Sequence, residues 1–366
     1  LRQLPGLAAQ NIMARGIGFG PEGDYKTAAL CAVLNQFAKQ RDGATGFMED
    51  YTYDLTAGSE LELASHMLEV SPVFAARKPE IQVHPLSFAE YYSAVGGDKE
   101  DAFEQYAFYG GMPLILSRPN DTAKANYLTA LFNEVYIKDI VERKQIGRED
   151  ILRQLLDLLS SSIGSLTNPK KIADTIRSVT GDSVSQNTIS AYIGHLEDAF
   201  LFSESKRYDV KGRKYFEYPY KYYCEDIGLR NARIGFRQQE MTHIMENIIY
   251  NELILRGYTV DVGVVYANEK NAIGSYSKVA REIDFIASMG GRKLYIQSAF
   301  ALPDENKAAQ ELTPLALTND SFPKIIVRKD IRKRWFNDSG VLNIGLTDFL
   351  LDDSIGNRGL QDHRIP

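Results

Sequence analysis

The chain has 366 residues and a net charge of −6, from 42 Lys and Arg against 48 Asp and Glu. Apolar residues are 44% and charged residues 25%, an ordinary globular mix that excludes wholesale disorder and collagen-like repeats. The charge excludes a surface coated throughout by nucleic acid but allows one basic patch, and Cys31 and Cys224 are too few for a disulfide framework or a zinc cluster.

At ~100–200 residues per domain, two or three domains are expected. No run approaches the ~18 apolar residues of a membrane span, and Leu1–Gly16 lacks the apolar core of a signal peptide. A cytoplasmic protein with no membrane partner is therefore expected.

In chain order, Leu1–Glu69 carries clustered glycines and little periodicity. Ile81–Val83 reads as a short strand and His84–Phe88 as a turn. Ser87 is placed to cap the next helix, with Glu90 three residues on. Tyr109-Gly-Gly-Met-Pro113 breaks the following helix. Asn126–Ile146 resumes it, with Tyr127, Leu131, Val135 and Ile140 at helical spacing. Ile151–Leu159 is amphipathic, and Lys170–Val179 follows Asn168-Pro169. Ser185–Phe200 sets Ile189, Ile193, Leu196 and Phe200 on one face. Strands over Leu201–Lys206 and Lys214–Tyr218, joined by Asp209–Arg213, complete the order of a winged helix. From Glu246 the text becomes compact α/β: a helix over Glu246–Arg256 ended by Gly257, then strands at Thr259–Val265, Glu282–Ala287 and Lys293–Ala299. Gly290-Gly291 forms a hairpin turn, and Lys324–Arg328 and Val341–Leu346 read as further strands.

Three constellations carry possible chemistry. Gly18, Gly20 and Gly23, followed by Lys26-Thr27 and a helical run, hold the ingredients of a phosphate loop. Glycines free the backbone N–H groups, Lys26 reaches phosphates, and Thr27 offers a hydroxyl to Mg²⁺. Asp24 and Tyr25 lengthen the usual spacing, and an ordinary glycine-rich loop fits the same residues. In the winged-helix stretch, Gln186, Asn187, Ser190 and His195 would face base edges, and Lys206, Arg207, Lys211, Arg213 and Lys214 would face phosphates. A protein-packing module fits equally. Near the C-terminus, Glu246 with Glu252, Arg281-Glu-Ile-Asp284 and the strand through Gln297 and Ala299 are similar to a magnesium-dependent nuclease core. Gln297 and Ala299 stand where that core would carry an acid and a lysine, so Glu246 and Asp284 make at best a vestigial metal site. The other reading pairs Glu246 with a cation such as Arg281.

Many strings together resemble a family. They include Pro85–Tyr91, Tyr109–Pro113, Lys138–Arg143, Ile163–Ser165, Tyr192–Ala199, Gly212–Tyr215, Lys221–Tyr223, Gly228–Asn231, Glu246-Asn247 and Glu282–Asp284. They are similar to bacterial and archaeal AAA-type ATPases carrying the domain of unknown function 4143. The resemblance implies an α/β chain with a P-loop ATPase-type front, incomplete here, over 1–92 and a helical linker over 93–150. A winged helix over 151–235 and a restriction-endonuclease-like α/β domain over 236–366 follow. It implies ATP and Mg²⁺ as cofactors, with Lys26 on the phosphates, Thr27 on the metal, Ser59 sensing the terminal phosphate and Arg77 stabilising transferred charge. The expected function is an ATP-dependent switch that binds duplex DNA or a protein partner, with an inactive nuclease-like domain. The alternative is a non-enzymatic DNA- or protein-binding module.

Overall fold

The computed structural model describes residues 83–237, 240–270 and 276–355, without the side chains of Val135 and Lys270. The expected strand over Ile81–Val83 therefore lies almost wholly outside them. The chain divides into two compact units, Leu1–Pro85 with Pro113–Asn120, and Leu86–Met112 with Asp121–Pro366. Of the first, the described part includes a 3-10 turn over Pro113–Ser117, where the Ser117 hydroxyl donates to the Leu114 carbonyl at 2.9 Å. All else below belongs to the second unit. Among the described residues no helix is long and apolar enough to cross a membrane.

The second unit opens with α1 (Phe88–Val95) and α2 (Lys99–Tyr109). Ser87 and Glu90 form the expected reciprocal cap: the Glu90 N–H donates to Ser87 Oγ, and the Ser87 N–H donates to Glu90 Oε2 at 2.9 Å. Next come α3 (Asp121–Ala130), a π-helical stretch (Leu131–Ile137) and α4 (Lys138–Lys144), which occupy the single helix expected over 126–146. Leu131 and Ile140 are buried, as their spacing predicts. Helices α5 (Glu149–Ser161), α6 (Pro169–Thr180) and α7 (Gln186–Asp198) follow, α6 capped by Asn168 and α7 by Ser185. Helix α7 stops short of Phe200. That residue turns to φ 52°, leaves the expected apolar face and is 46% exposed.

The expected wing does not form as predicted. Strand β1 (Phe202–Ser205) pairs antiparallel with β4 (Lys221–Cys224), a strand the periodicity did not reveal. Strand β2 (Arg207–Asp209) pairs with β3 (Lys214–Tyr215) and also runs parallel to β5 (Thr259–Lys270), so the hairpin is stitched into the main sheet. Asp209 closes its turn by accepting the N–H groups of Lys211 and Gly212.

After α8 (Ile227–Arg233) and α9 (Met241–Leu255), the sheet continues. Its remaining elements are β6 (Tyr276–Met289), β7 (Arg292–Ala299), α10 (Glu305–Leu317), β8 (Lys324–Arg328), β9 (Trp335–Phe336), β10 (Leu342–Gly345) and α11 (Leu346–Leu351). The order of the mixed eight-stranded sheet is β3-β2-β5-β6-β7-β8-β10-β9. Gly290 and Gly291, with φ of 53° and 84°, make the predicted tight turn between β6 and β7. The pleat puts Phe285 and Ile286 on opposite faces. Tyr250 of α9 packs beside the Phe285 ring, whereas Leu315 of α10 joins Ile286, Tyr295, Ala299 and Ile326 in the core beneath the other face. The α/β class is thus observed.

Two of the family-like strings are packing devices. Gly110, at φ 74°, ends α2, and a Cβ on Gly228 would lie 2.0 Å from the Tyr109 carbonyl oxygen, so only glycine permits this approach. Asp226 ties the junction, accepting the N–H of Gly111 at 2.7 Å and of Leu229 at 2.8 Å. Asn231 donates to the carbonyls of Ala107 and Phe108.

Candidate functional site

The densest buried charge in the described residues surrounds Lys221 on β4. Its ammonium lies 2.8 Å from Glu246 Oε1 on α9, 2.8 Å from Glu282 Oε1 and 3.6 Å from Asp284 Oδ1, both on β6. Tyr223 reaches the same Glu246 oxygen, donating its hydroxyl at 2.7 Å. Alternation along β4 explains the pair: Lys221 and Tyr223 point the same way and meet one carboxylate.

Asp284 sits where β6 and β7 part, for their registered pairing begins at Phe285 and Ile296. Side chains satisfy the backbone groups freed there. Ser298 N–H donates to Asp284 Oδ2 at 2.8 Å, and Asp284 N–H donates to Gln297 Oε1 at 3.3 Å. The Gln297 amide donates onward to Glu311 Oε2 on α10 at 2.8 Å, and Lys307 holds the other Glu311 oxygen at 2.5 Å.

Burial first, then the neighbouring Glu246 carboxylate, pushes the Asp284 carboxyl up to about 7, while Lys221 and the Ser298 N–H pull it down. Burial alone would lower the Lys221 ammonium. The surrounding charges of Glu246, Asp284 and Glu282 outweigh it and hold Lys221 protonated, above its ordinary value. The arrangement is a carboxyl able to gain and lose a proton near neutrality, beside a permanently charged ammonium. Glu282 is the most exposed of the four, with a side chain 33% accessible against 5% for Lys221, so solvent reaches the cluster from its side.

Of the residues singled out in the sequence, Glu246 and Asp284 are brought together, with Lys221 between them. Arg281 pairs with Glu269 rather than with Glu246, and Glu252 pairs with Arg256 at 2.7 Å, away from the cluster. Ala299 is core, and Gln297 links Asp284 to Glu311. Among the described residues no group of three or more His, Cys, Asp or Glu side chains is placed to hold a metal ion. Gln186 and Asn187 lie exposed in the first turn of α7, and Lys211, Arg213 and Lys214 lie exposed on the β2–β3 hairpin. Gly18, Gly20, Gly23, Lys26, Thr27, Ser59 and Arg77, with the ATP and Mg²⁺ expected there, fall outside the described residues. Sequence reasoning missed Lys221 and Glu311 as site residues. Lys221 stood only inside a family-like string, and Glu311 lies on a helix that went unread.

Comparison with known proteins divides the chain. Residues 1–40 match the L-arabinose isomerase central domain and residues 44–96 the L-arabinose isomerase C-terminal domain. Residues 100–240 match a domain of unknown function, DUF8612. An uncharacterized protein of Haemophilus influenzae is 32% identical over 299 residues, 80% of this chain and 70% of that one. The L-arabinose isomerase of Halalkalibacterium halodurans is 54% identical over 101 residues, 28% of this chain and 18% of the isomerase. That of Thermotoga neapolitana is 58% identical over 87 residues, 24% of this chain and 18% of the isomerase. The chain thus spans about a fifth of those isomerases' length.

These matches correct the resemblance to AAA-type ATPases. The stretch from Gly18 to Thr27, expected as a phosphate loop, falls inside the isomerase central-domain match, and Ser59 and Arg77 fall inside the C-terminal-domain match. Glycines, a lysine and a threonine at loosened spacing arise in loops of many kinds, which is why that motif misled. The ATP-dependent switch with a winged-helix binding module and an inactive nuclease-like domain is set aside, and so is its non-enzymatic DNA- or protein-binding alternative.

Proposed function

We propose, for a chain that belongs to the family of the uncharacterized Haemophilus influenzae protein, a sugar-isomerase-related function acting on an aldose or ketose of the arabinose class. One observation carries this reading: over about a hundred residues the chain shares 54% of its positions with an L-arabinose isomerase. The Lys221 cluster lies beyond residues 1–96, which match the isomerase domains, and its chemistry suits the same reaction. Interconverting an aldose and a ketose moves a proton between neighbouring carbons and another between their oxygens, with no net oxidation. The step calls for a carboxylate that exchanges a proton near neutral pH and a fixed cation beside the oxygen that gathers charge. Asp284 fills the first role and Lys221 the second, with Tyr223 and Glu246 orienting the lysine.

The test is incubation of the full chain with L-arabinose, following ketose formation by proton NMR, with Asp284→Asn alongside. Ketose from the wild type that is lost in the variant supports both parts of the reading. Ketose from both leaves the sugar chemistry and removes Asp284 from it. No ketose and no L-arabinose-dependent rise in melting temperature overturns the proposal.

A further inference from the structure

We propose that Glu197 and Glu204 form a proton-sensitive latch at the corner between α7 and β1, closed while Glu197 carries a proton and loosened when that proton leaves. The corner is tight. The Phe200 N–H donates to the Glu197 carbonyl at 2.9 Å and the Leu201 N–H to the Leu196 carbonyl at 3.0 Å, with Phe200 held at a positive φ that costs a non-glycine residue energy. Glu197 stands in the last turn of α7, where the helix dipole opposes negative charge. Its Oε1 is buried and, among the described residues, has no hydrogen-bond partner. A buried carboxylate oxygen without a donor is costly, and a protonated carboxyl is much less so.

The groups facing it act mostly the same way. From β1, the Glu204 carboxylate opposes the charge and is itself partnered at 3.1 Å by Lys206, while Lys206 and the Glu204 backbone N–H favour ionisation. Asp198 on the same helix adds a weaker repulsion and is itself held by Lys144. Tyr222 on β4 and Tyr250 on α9 are further titratable groups around it, their phenols raised first by burial and to a lesser degree by the Glu197 carboxylate. Burial first, then Glu204, pushes Glu197 up to about 7. Below that pH the protonated side chain packs between α7 and β1. Above it, two carboxylates repel across the corner, and the hydrogen bonds of Phe200 and Leu201 open more often.

The experiment is amide hydrogen exchange of the full chain between pH 5.5 and 8.5, corrected for intrinsic base catalysis and read at residues 199–201. Wild-type protection is expected to fall by up to about tenfold per pH unit from pH 5.5 to the Glu197 midpoint and to level off above it. In Glu197→Gln, protection stays high and flat. In Glu204→Gln the fall levels off at a lower pH, because the repulsion that favours the proton is gone. A flat wild-type profile, or one that Glu197→Gln leaves unchanged, overturns the latch. Should Glu197→Gln fail to fold, Glu204→Gln decides alone, an unmoved midpoint overturning the proposal.

Discussion

The helices between Phe88 and Asp198 and the sheet between Phe202 and Gly345 bury different things. In α5 the buried side chains are Ile151, Leu152, Leu155, Leu156 and Leu159, with Ser160 the one polar member. Around β4, α9 and β6 the interior instead holds Lys221, Glu246 and Gln297, with Glu282 and Asp284 at its margin. The first region is stabilised by removal of apolar area from water, about 25 cal/mol per Å², whatever the pH. The second is stabilised only while its charges match, because a buried ion without its partner keeps its desolvation cost. Equal burial therefore predicts unequal responses to pH.

The largest expected effect comes from breaking the charged region. Lys221→Met leaves Glu246, Glu282 and Asp284 facing one another without a cation, and should cost ~3–5 kcal/mol at pH 7.5. The loss should shrink as pH falls toward 5, where protons replace the ammonium. Urea unfolding at both pH values measures it, and an equal loss at both would place the site's stability in packing instead. Leu155→Ala in the helical region should cost ~2–5 kcal/mol through lost transfer energy and a cavity. Its loss should be the same at pH 5 and 7.5, which completes the contrast.

That contrast also explains what the sequence could reveal. Helices α5 and α7 were legible because their apolar residues recur at helical spacing, and α6 because Asn168-Pro169 announces its start. The β6–β7 hairpin was legible from Gly290-Gly291. The pairing of β1 with β4 was not, since register between strands separated by a hairpin depends on tertiary contacts. Glu246 and Asp284 could be singled out because their places on a helix and a later strand are similar to those of the carboxylates in a magnesium-dependent nuclease core. Lys221 could not, because KYYC reads as an amphipathic scrap until β4 is set between α9 and β6. The identity of the front was misread for a related reason: a short motif of common residues was given the meaning of a fold.

A smaller effect sharpens the pH side of the comparison. Asp284 has a folded-state pKa raised above its unfolded value of about 4, to about 7. The native state therefore holds the extra proton between those values, and this group's contribution to stability falls as pH rises from about 4 to 7. Asp284→Asn keeps an oxygen for the Ser298 N–H and removes the titration. Its stability profile over that window should be flatter than the wild type's by thermal unfolding at half-unit steps. An identical slope would assign the pH dependence to other groups, with Glu197 the next to replace.

The smallest predicted effect belongs to the cap of α6. Asn168 sits in extended conformation, and its side-chain oxygen accepts the Lys171 N–H at 2.8 Å, satisfying one of the donors left free at a helix start. Pro169 follows at the first helical position, where its fixed φ is already helical and its missing N–H is not needed. Asn168→Ala removes the acceptor but leaves Pro169 and the buried Ile172, Ala173 and Ile176 in place, so the helix persists with a frayed first turn. The expected loss is ~1 kcal/mol, within the 0.5–2 range for caps. It should be independent of pH between 5 and 8, because no ionisable group is lost. Exchange should quicken at Lys171 and Ile172 while amides near Arg177 keep their protection. A loss that grows with pH would mean that the helical region also depends on charge, and would erase the division between the two parts.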